Sequence, residues 1–432
     1  MSRRVLYVSH NHPDIRPGGA EVYALALHRT MAAKQGWESV FLARSGPPLT
    51  AVSRYHDGTH LTLVDGRADE YYFHTELAHF DSFLGCTADK HLWTHYLRDF
   101  LRAYRPDVVH FQHTLYMGYD MIREVRNTLP EAAILYTLHD FNPICRHHGQ
   151  MVRSTSSLEL CTHSSPRRCH ECFPEHAPQA FFMRKHFAQA MFDLVDLFIA
   201  PSEFLRSRYI DWGIPPDRIR FEENGCALEI ATLTAIPADR VRNRFGFFGQ
   251  LTQFKGIHVL LDAMRQLVSD DGDAHLWVHG TNLELQSPEF RAQVGEMLTT
   301  YQARVTVAGR YQHHELPDLM ANIDWVVVPS VWWENSPLVI QEAFLCGRPV
   351  ICGDIGGMAE KVTDGLNGLH FRTGDSSSLA DTMRRAMSNG VWQSMREGIP
   401  PVYSMDDHAR SLVKTYEALM LRRRGTGKVS VL

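Results

Sequence analysis

The sequence carries little excess charge and has no long uninterrupted apolar run. Its formal net charge is −5 over 432 residues, and in the absence of a long basic stretch we expect no nucleic acid partner. The longest apolar tract includes Asp193 and Asp196, so it predicts a buried helix followed by a strand and not a membrane span. The first apolar run breaks at His10 and is too short for a secretory signal. We therefore expect a cytoplasmic protein.

Two basic segments are compatible with contact at a membrane surface. Residues 181–187, "FFMRKHF", mix aromatic and basic side chains, and the tail "LRRRGTGK" is basic. Such composition is typical of helices at a lipid interface, but also of a helix packed on its own domain and of a solvated tail. Peripheral attachment to the inner face of a membrane is therefore an alternative location.

Short apolar or β-branched runs alternate with longer stretches of helical spacing along most of the chain. This alternation predicts an α/β fold with two Rossmann-like, doubly wound domains that face each other across a cleft. The irregular stretch between two groups of runs is typical of a linker. The predicted divisions are an N-terminal domain at 1–225 with an insertion at 145–172, a linker at 226–243, a second domain at 244–404, and a C-terminal helix and tail at 405–432 that packs back across the hinge.

A loop after the first predicted strand ends in Gly18 and Gly19, before a helix that begins near Ala20. Glycines let backbone N–H groups approach a ligand, and a helix start carries partial positive charge, so an anion or a sugar hydroxyl fits there. A flexible turn into a helix explains the pair equally well. The loop lacks the G-x-G-x-x-G pattern, which disfavours an NAD-type oxidoreductase.

Two glutamates flank a Ser-Pro step in "VWWENSPLVIQEAFLCG". Ser336 is typical of an N-cap and Pro337 of a first helical residue, so we predict a helix from Pro337 to about Cys346. Glu334 then lies in the loop before this helix and Glu342 lies inside it. Two acids eight residues apart, taken alone, are better explained by chance.

The start of this predicted helix offers the free N–H groups of Leu338 and Val339, which would bind a phosphate. An anion site flanked by two carboxylates suits a sugar nucleotide, with the ribose on one acid and the sugar hydroxyls on the other. The segment therefore indicates binding of a nucleotide sugar.

The stretch "ENSPLVIQEA" resembles the Glu-x7-Glu motif of the retaining GT-B glycosyltransferases of family four. Several motifs in the right order are more specific than any one of them. The further motifs similar to that family are "GGAE" at Gly18–Glu21, "TLHD" at Thr137–Asp140, "APSEFLRSRYIDWGI" at Ala200–Ile214, "FGQLTQFKGIHVLLDA" at Phe248–Ala263, "VAGR" at Val307–Arg310 and "CGRPVICGDIGGMAEKVTDGLNGLHF" at Cys346–Phe371.

The resemblance implies a retaining hexosyltransferase with an N-terminal acceptor-side domain and a C-terminal domain that binds the nucleotide sugar. Such an enzyme would move a sugar from a UDP- or GDP-sugar to a sugar or lipid-linked glycan acceptor in polysaccharide or glycoconjugate synthesis. The resemblance implies retention without a dedicated carboxylate nucleophile, with the leaving diphosphate helping to deprotonate the acceptor; whether Glu334 acts instead stays open. No cofactor is expected for catalysis.

The resemblance also assigns roles to single residues. Glu342 would bind the ribose, Glu334 would lie beside the donor sugar hydroxyls, and Lys255 would stabilise the leaving diphosphate. His139 would hydrogen-bond a hydroxyl near the reacting sugar, with Asp140 fixing its tautomer or capping the next turn. The catalytic candidates are His139, Glu334 and Lys255, and the donor-binding candidates are Gly18, Gly19, Gln250, Lys255, Arg310, Glu334, Asn335, Ser336, Pro337, Leu338, Val339 and Glu342.

Gln250 departs from the family pattern, which usually has an arginine at that position. Glutamine donates hydrogen bonds but brings no charge, so Arg310 or Arg16 would have to supply it. Two alternatives follow: a catalytically weak sugar-nucleotide-binding subunit of a larger assembly, and a nucleotide-sugar 2-epimerase, which shares less of the Glu-x7-Glu segment.

Four of the eight cysteines lie within the 28 residues that begin six positions after His139. Without a secretory signal we expect reduced thiols, and their number gives a structural zinc or an iron–sulfur site its ligands. A disulfide pair and unbound thiols are the alternatives, and His147, His148, His163 and His170 are substitute ligands. The segment would border the acceptor side of the cleft and influence acceptor choice. The metal candidates are Cys145, Cys161, Cys169 and Cys172.

Overall fold

The computed structural model describes residues 2–49, 59–154, 159–228, 230, 240–270 and 272–426. Most of the predicted linker (229 and 231–239) and the end of the predicted tail (427–432) lie outside the described residues. The chain divides into two compact units, which are Met1–Ala227 together with Tyr403–Leu432, and Leu228–Val402.

Short strands follow the apolar runs of the sequence. In the first unit they are β1 (Arg3–Ser9), β2 (Trp37–Ser45), β3 (Leu61–Leu63), β4 (Glu70–His74), β5 (Phe80–Asp81), β6 (Cys86–Thr87), β7 (Val108–Phe111), β8 (Ala133–Thr137), β9 (Leu197–Ala200) and β10 (Ile219–Phe221). In the second unit they are β11 (Arg244–Phe248), β12 (His275–His279), β13 (Val305–Gly309), β14 (Trp325–Val328), β15 (Val350–Gly353) and β16 (Gly368–Phe371).

Helices lie between most of these strands. They are α1 (Gly19–Ala32), α2 (Arg98–Tyr104), α3 (Asp120–Thr128), α4 (Pro166–Cys172), α5 (Pro178–Phe192), α6 (Glu203–Trp212), α7 (Ile257–Ser269), α8 (Pro288–Thr300), α9 (Leu316–Ala321), α10 (Leu338–Leu345), α11 (Gly356–Lys361), α12 (Ser376–Ala386), α13 (Val391–Glu397) and α14 (Met405–Thr426). A π-helical turn spans Leu92–Leu97, and 3-10 turns span Pro216–Arg218, Leu283–Leu285 and His313–Glu315.

The first unit is built on a largely parallel sheet. Among the described residues, eight strands pair in the order β10-β9-β8-β7-β1-β2-β4-β3, and only β3 runs antiparallel to its neighbour. Val5 to Val8 of the central strand β1 are fully buried, as expected for a strand of a parallel sheet with both faces covered. The order reverses between β1 and β7, so polar side chains at the ends of these two strands share one crevice.

The end of the chain packs on the first unit. Helix α14 contacts α1 and β8. The hydroxyl of Tyr416 lies 3.0 Å from the hydroxyl of Tyr7 and 2.7 Å from Nδ1 of His110. These buried contacts hold the C-terminal helix on the N-terminal sheet.

The second unit contains a fully parallel sheet. Its described strands pair in the order β13-β12-β11-β14-β15-β16, which is the doubly wound order of a Rossmann sheet. Two parallel sheets with intervening helices confirm the predicted α/β class. The order reverses between β11 and β14, and ligands of such sheets bind beyond this point. The apolar core includes Phe245, Leu260, Trp325, Ile351 and Leu379.

Candidate functional site

The reversal point of the second sheet brings two predicted site loops together. Strands β11 and β14 are parallel neighbours, so the loops after them leave the same edge of the sheet. The first loop carries Gln250 and Lys255, and the second carries Glu334. Gly256 has φ 70° and would place a Cβ only 1.9 Å from the carbonyl oxygen of Pro329, so glycine is required where the two loops approach.

Lys255 and Glu334 form a short ion pair. Nζ of Lys255 lies 2.6 Å from Oε1 of Glu334. The same oxygen accepts hydrogen bonds from Oγ of Ser330 at 2.7 Å and from Nε1 of Trp332 at 2.9 Å. Burial alone would raise the pKa of Glu334, but the Lys255 charge and these donors hold the pKa below its ordinary value. Glu334 is therefore a fixed carboxylate at neutral pH.

The backbone around Glu334 is held by α11. The N–H of Gly357 donates to the carbonyl oxygen of Glu334 at 2.8 Å. A Cβ at position 357 would lie 1.5 Å from the carbonyl oxygen of Asn335, so only glycine permits this approach. The "GDIGGM" segment therefore has a positioning role for the Glu334 loop.

Helix α10 begins one residue later than predicted. Pro337, with φ −64° and ψ 118°, is at the N-cap, and Leu338 is the first helical residue. The predicted cap by Ser336 was wrong, because no side chain caps this helix; the Ser336 hydroxyl is buried without a hydrogen-bond partner in the described part of the chain. The N–H groups of Leu338 and Val339 remain in the first turn, where helical N–H groups lack helical acceptors.

Glu342 is buried inside α10 and has a histidine partner. Nε2 of His313 lies 2.8 Å from Oε1 of Glu342. Burial and then the nearby charge of Glu342 raise the pKa of Tyr311, which stays a neutral phenol. Sequence reasoning missed His313 as a partner of Glu342, because the two residues are 29 positions apart and nothing local links them.

Two further donor-binding candidates lie at the surface. Gln250 and Arg310 are both exposed, and the Gln250 carbonyl oxygen accepts from the N–H of Thr252 at 3.0 Å. The structure thus joins Lys255 to Glu334 directly and places Glu342 within the helix that follows. Gln250 and Arg310 have side chains directed to solvent.

His139 is half-buried and lies just after the end of β8 in the first unit. Its Nε2 lies 2.9 Å from Oε1 of Gln112. Burial, and then the neighbouring charge of His113, lower the pKa of His139 to about 3. His139 is therefore a neutral imidazole at pH 7, and its Nε2–H donates to Gln112.

A second histidine pairs with Asp140. Nε2 of His113 lies 3.0 Å from Oδ2 of Asp140, and Oδ1 of Asp140 accepts from the N–H of Asn142 at 2.8 Å. Asp140 thus caps the next turn, which is one of its two predicted roles. Burial disfavours the charged form of both residues, but the opposite charge and hydrogen bond of the partner outweigh it. The pKa of His113 is therefore raised and the pKa of Asp140 is lowered.

The Gly18-Gly19 helix start is flanked by a carboxylate of the chain itself. Nε2 of His10 lies 3.0 Å from Oε1 of Glu21, and a Cβ at Gly18 would lie 2.5 Å from Oε2 of the same glutamate. A negative charge in the first turn favours a sugar hydroxyl over an anion as ligand. The rings of His10 and His113 are 4.5 Å apart. Sequence reasoning missed Gln112, His113 and His10, since they lie outside the recognised motifs, and it included Glu21 in "GGAE" without assigning it a role.

One other cluster has the ligand types of a metal site. Within the described residues, His28, Asp69 and Glu70 are the group whose ligand atoms all lie within 4.8 Å of one another. Glu70 already accepts two hydrogen bonds from the guanidinium of Arg29, at 3.1 and 3.2 Å. The arginine supplies the positive charge, so this cluster is an ion-pair network.

Two family models match most of the chain. Residues 17–229 match the model described as Glycosyltransferase Family 4, and residues 242–389 match Glycosyl transferases group 1. Together they extend over more than four fifths of the sequence.

Two curated relatives illustrate the similarity, each over less than half of the chain. A lipopolysaccharide 1,2-N-acetylglucosaminetransferase of Salmonella typhimurium is 26% identical over 204 residues, 44% of this chain and 53% of that protein. A D-inositol 3-phosphate glycosyltransferase of Corynebacterium urealyticum is 31% identical over 184 residues, 40% of this chain and 42% of that protein. The chain matches about half the length of these relatives.

Solved structures are similar over nearly the whole chain. Anabaena HepE in complex with UDP has a TM-score of 0.66 and 18% identity, covering 96% of this chain and 100% of that one. Sucrose-phosphate synthase of Thermosynechococcus elongatus has a TM-score of 0.68 and 18% identity, covering 97% and 100%. With the family models, these matches confirm the predicted GT-B α/β fold. Among described helices, none has the length and apolar character needed to cross a bilayer.

Proposed function

We propose that this chain, which belongs to the glycosyltransferases of group 1 and family 4, is a retaining hexosyltransferase. It would move a sugar from a UDP- or GDP-sugar to a sugar or lipid-linked glycan acceptor, in polysaccharide or glycoconjugate synthesis. The observation that carries this proposal is the Lys255–Glu334 pair at the reversal point of the second sheet, 2.6 Å between Nζ and Oε1.

The ammonium of Lys255 suits a leaving diphosphate. It has three donors, and one of them is engaged by Glu334, so the pair fixes the lysine while leaving donors for phosphate oxygens. Negative charge grows on the diphosphate as the glycosidic bond breaks, and a fixed cation stabilises that charge. The N–H groups at the start of α10 would hold the same diphosphate.

The two glutamates suit binding better than proton transfer. Oε1 of Glu334 already has three donors, which stabilise its charge and weaken it as a nucleophile; the carboxylate is suited to accept bonds from sugar hydroxyls. Glu342, oriented by His313, would accept the hydroxyls of a ribose. Retention would then follow from attack on the same face, with the diphosphate receiving the acceptor proton.

The first unit offers a neutral imidazole on the acceptor side. His139 is uncharged at pH 7, so it would contact sugar hydroxyls without attracting a phosphate. The Salmonella relative acts on lipopolysaccharide by its name, which supports a glycan acceptor for this chain. HepE has been solved with UDP and with UDP-glucose, which supports a nucleotide sugar donor.

Contact with a membrane that carries such an acceptor fits the surface of α5. Phe182 and Met183 are exposed by 53% and 59%, and Lys185 lies beside them. Arg184 is buried and donates to the carbonyl oxygens of Asn142 and Pro143, so only part of "FFMRKHF" faces outward. Co-sedimentation with anionic vesicles that decreases in a Phe182→Ser/Met183→Ser variant would support peripheral attachment; equal sedimentation would contradict it.

The proposed reaction is tested by nucleoside diphosphate release. Wild-type protein is incubated with UDP- and GDP-sugars and a panel of glycan acceptors, and the product anomer is read by NMR. Glu334→Gln removes the charge at unchanged size, and Glu296→Gln on exposed α8 is the matched control.

Release that is lost in Glu334→Gln but kept in Glu296→Gln, with the donor's anomeric configuration retained, supports the proposal. An inverted product contradicts the retaining mechanism. Nucleotide binding without turnover of any donor would instead support the binding-subunit alternative, with which the uncharged Gln250 is consistent. Formation of a C2-epimerised nucleotide sugar would support the epimerase alternative.

A further inference from the structure

We propose that Cys145, Cys161, Cys169 and Cys172 bind one structural zinc ion. All four sulfur-bearing residues border a single cavity of about 30 Å³. Within the described residues, the other four cysteines of the chain do not line it. The eight cysteines form no disulfide in the described structure. Convergence of half the cysteines on one cavity is the observation that carries the zinc site.

The four cysteines come from three separate pieces of chain. Cys145 lies in the turns after β8, and Cys161 follows Leu160, which forms an isolated β-bridge with Val152. Cys169 and Cys172 lie three residues apart in α4 and thus face the same side of that helix. Three pieces of chain that each bring a cysteine to one cavity have the arrangement of a closed four-sulfur zinc site.

Helix α4 is held on the rest of the insertion by surface contacts, such as the Arg153–Glu171 ion pair and the hydrogen bond from Oγ of Ser154 to the carbonyl oxygen of Cys172. Helix α4 contains no buried residue, so it cannot be fixed by an apolar core of its own. A bound zinc would add cross-links between the pieces, because structural zinc sites contribute directly to folding. The ion would therefore stabilise α4, which lacks buried side chains of its own.

The turn around Cys145 is fixed by a backbone hydrogen bond. The N–H of Gly149 donates to the Cys145 carbonyl oxygen at 3.1 Å. Gly149, with φ 70°, would place a Cβ 2.6 Å from the nitrogen of Asn142, so this tight turn requires glycine.

The sulfurs must move closer together to share one metal ion. In the described residues no three of them lie within 4.8 Å of one another, whereas zinc bonds of about 2.3 Å in a tetrahedron set sulfurs about 3.8 Å apart. A change of one χ1 rotamer moves a sulfur by about 3 Å. Rotations of this size would bring the sulfurs together when the ion binds.

Four protein ligands leave no open position for water, so the zinc would be structural and not catalytic. Its effect would reach the turn that carries Asp140. The N–H of Cys145 donates to the carbonyl oxygen of Phe141 at 2.8 Å, and the hydroxyl of Tyr209 donates to the carbonyl oxygen of Asp140 at 2.8 Å. The zinc site is independent of the proposed reaction, and metal content tests it without any activity assay.

The test measures zinc in the purified full-length chain by elemental mass spectrometry. We expect about one zinc per chain in the wild type and in Cys86→Ser, a half-buried cysteine outside the cavity, and a loss of most of the zinc in Cys169→Ser and Cys172→Ser. X-ray absorption of the wild type is expected to show four sulfur ligands at about 2.3 Å. Chelation should lower the melting temperature of the wild type and of Cys86→Ser alike.

Each other outcome overturns the four-cysteine zinc site. A wild type without zinc, an iron–sulfur absorption spectrum, or a disulfide among the four cysteines by mass mapping would do so. A nitrogen ligand in the absorption spectrum would replace one cysteine by a histidine. If Cys169→Ser and Cys172→Ser do not fold, the zinc content of the wild type and its ligands by X-ray absorption still test the four-cysteine site.

Discussion

The polar sites of the two units are built from different chemistry. The second unit pairs full charges, as in Lys255 with Glu334, and keeps Glu334 ionised by surrounding it with donors. The first unit also pairs charges, His113 with Asp140, but it keeps His139 neutral by burial. A lysine that has donors left for phosphate oxygens suits a diphosphate, and a neutral imidazole suits sugar hydroxyls. The contrast therefore divides the proposed work, with donor binding in the second unit and acceptor contact in the first.

The two sites also differ in how the chain assembles them. Glu334 and Glu342 lie on one short segment and the Lys255 loop leaves the adjacent strand. The first unit collects His10, His113 and His139 from the ends of β1, β7 and β8. A site on contiguous residues leaves one motif in the sequence, whereas in the site on separate strand ends only His139, in "TLHD", belongs to a recognised motif.

The largest expected effect is in Lys255→Ala. The variant removes the cation that would stabilise the leaving diphosphate, and we expect a loss of turnover of about 10²–10³-fold. Lys414→Ala, on the exposed face of α14, is the matched control and should keep wild-type turnover. If turnover by Lys255→Ala is within twofold of the control, Lys255 does not stabilise the leaving diphosphate and the second unit does not act through this charge.

His139→Asn should act on turnover and not on nucleotide affinity. It removes one hydrogen bond to the acceptor side, for which we expect a loss of about tenfold, or about 1.4 kcal/mol. The control is His91→Asn, an exposed histidine. Steady-state rates with donor and acceptor varied separately measure the effect, and a weakened nucleotide Kd would place His139 on the donor instead.

His313→Ala tests a contact that sequence reasoning missed. His313 orients the Glu342 carboxylate, and loss of one such bond should weaken nucleotide binding about fivefold, or about 1 kcal/mol. The adjacent exposed His314 gives the control, His314→Ala. Calorimetric titration with UDP and GDP measures both; equal affinities in the two variants would deny the positioning role.

The smallest expected effect is the pH dependence of His113. Its folded pKa is raised, so its pairing with Asp140 stabilises the fold fully below the ordinary histidine value of about 6.5 and is lost as pH rises through the folded pKa. The melting temperature of the wild type relative to His113→Gln should therefore fall by about 2 °C between pH 6 and pH 9. If the difference in melting temperature between the two proteins stays constant or grows with pH, the His113–Asp140 pair does not stabilise the fold in this way.

The sequence predicts the fold class well because strand runs and helical spacing are local. It also predicts Glu334, Glu342 and Lys255 as neighbours in function, since motif order preserves their spacing. The Ser336 cap was placed one residue early, because proline fits either position at a helix start. The partners His313, Gln112 and Glu21 could not be predicted, because contacts between distant segments depend on strand order and register.

The central claim, that the second unit holds the nucleotide, is tested most directly by one parallel titration. Binding of UDP and GDP is measured for the wild type, Glu342→Gln and His139→Asn. We expect Glu342→Gln to weaken the preferred nucleotide by about 10–100-fold through loss of its charged hydrogen bonds, and His139→Asn to bind it as the wild type does. Unchanged nucleotide affinity in Glu342→Gln together with weaker nucleotide affinity in His139→Asn would contradict the claim that the second unit binds the nucleotide.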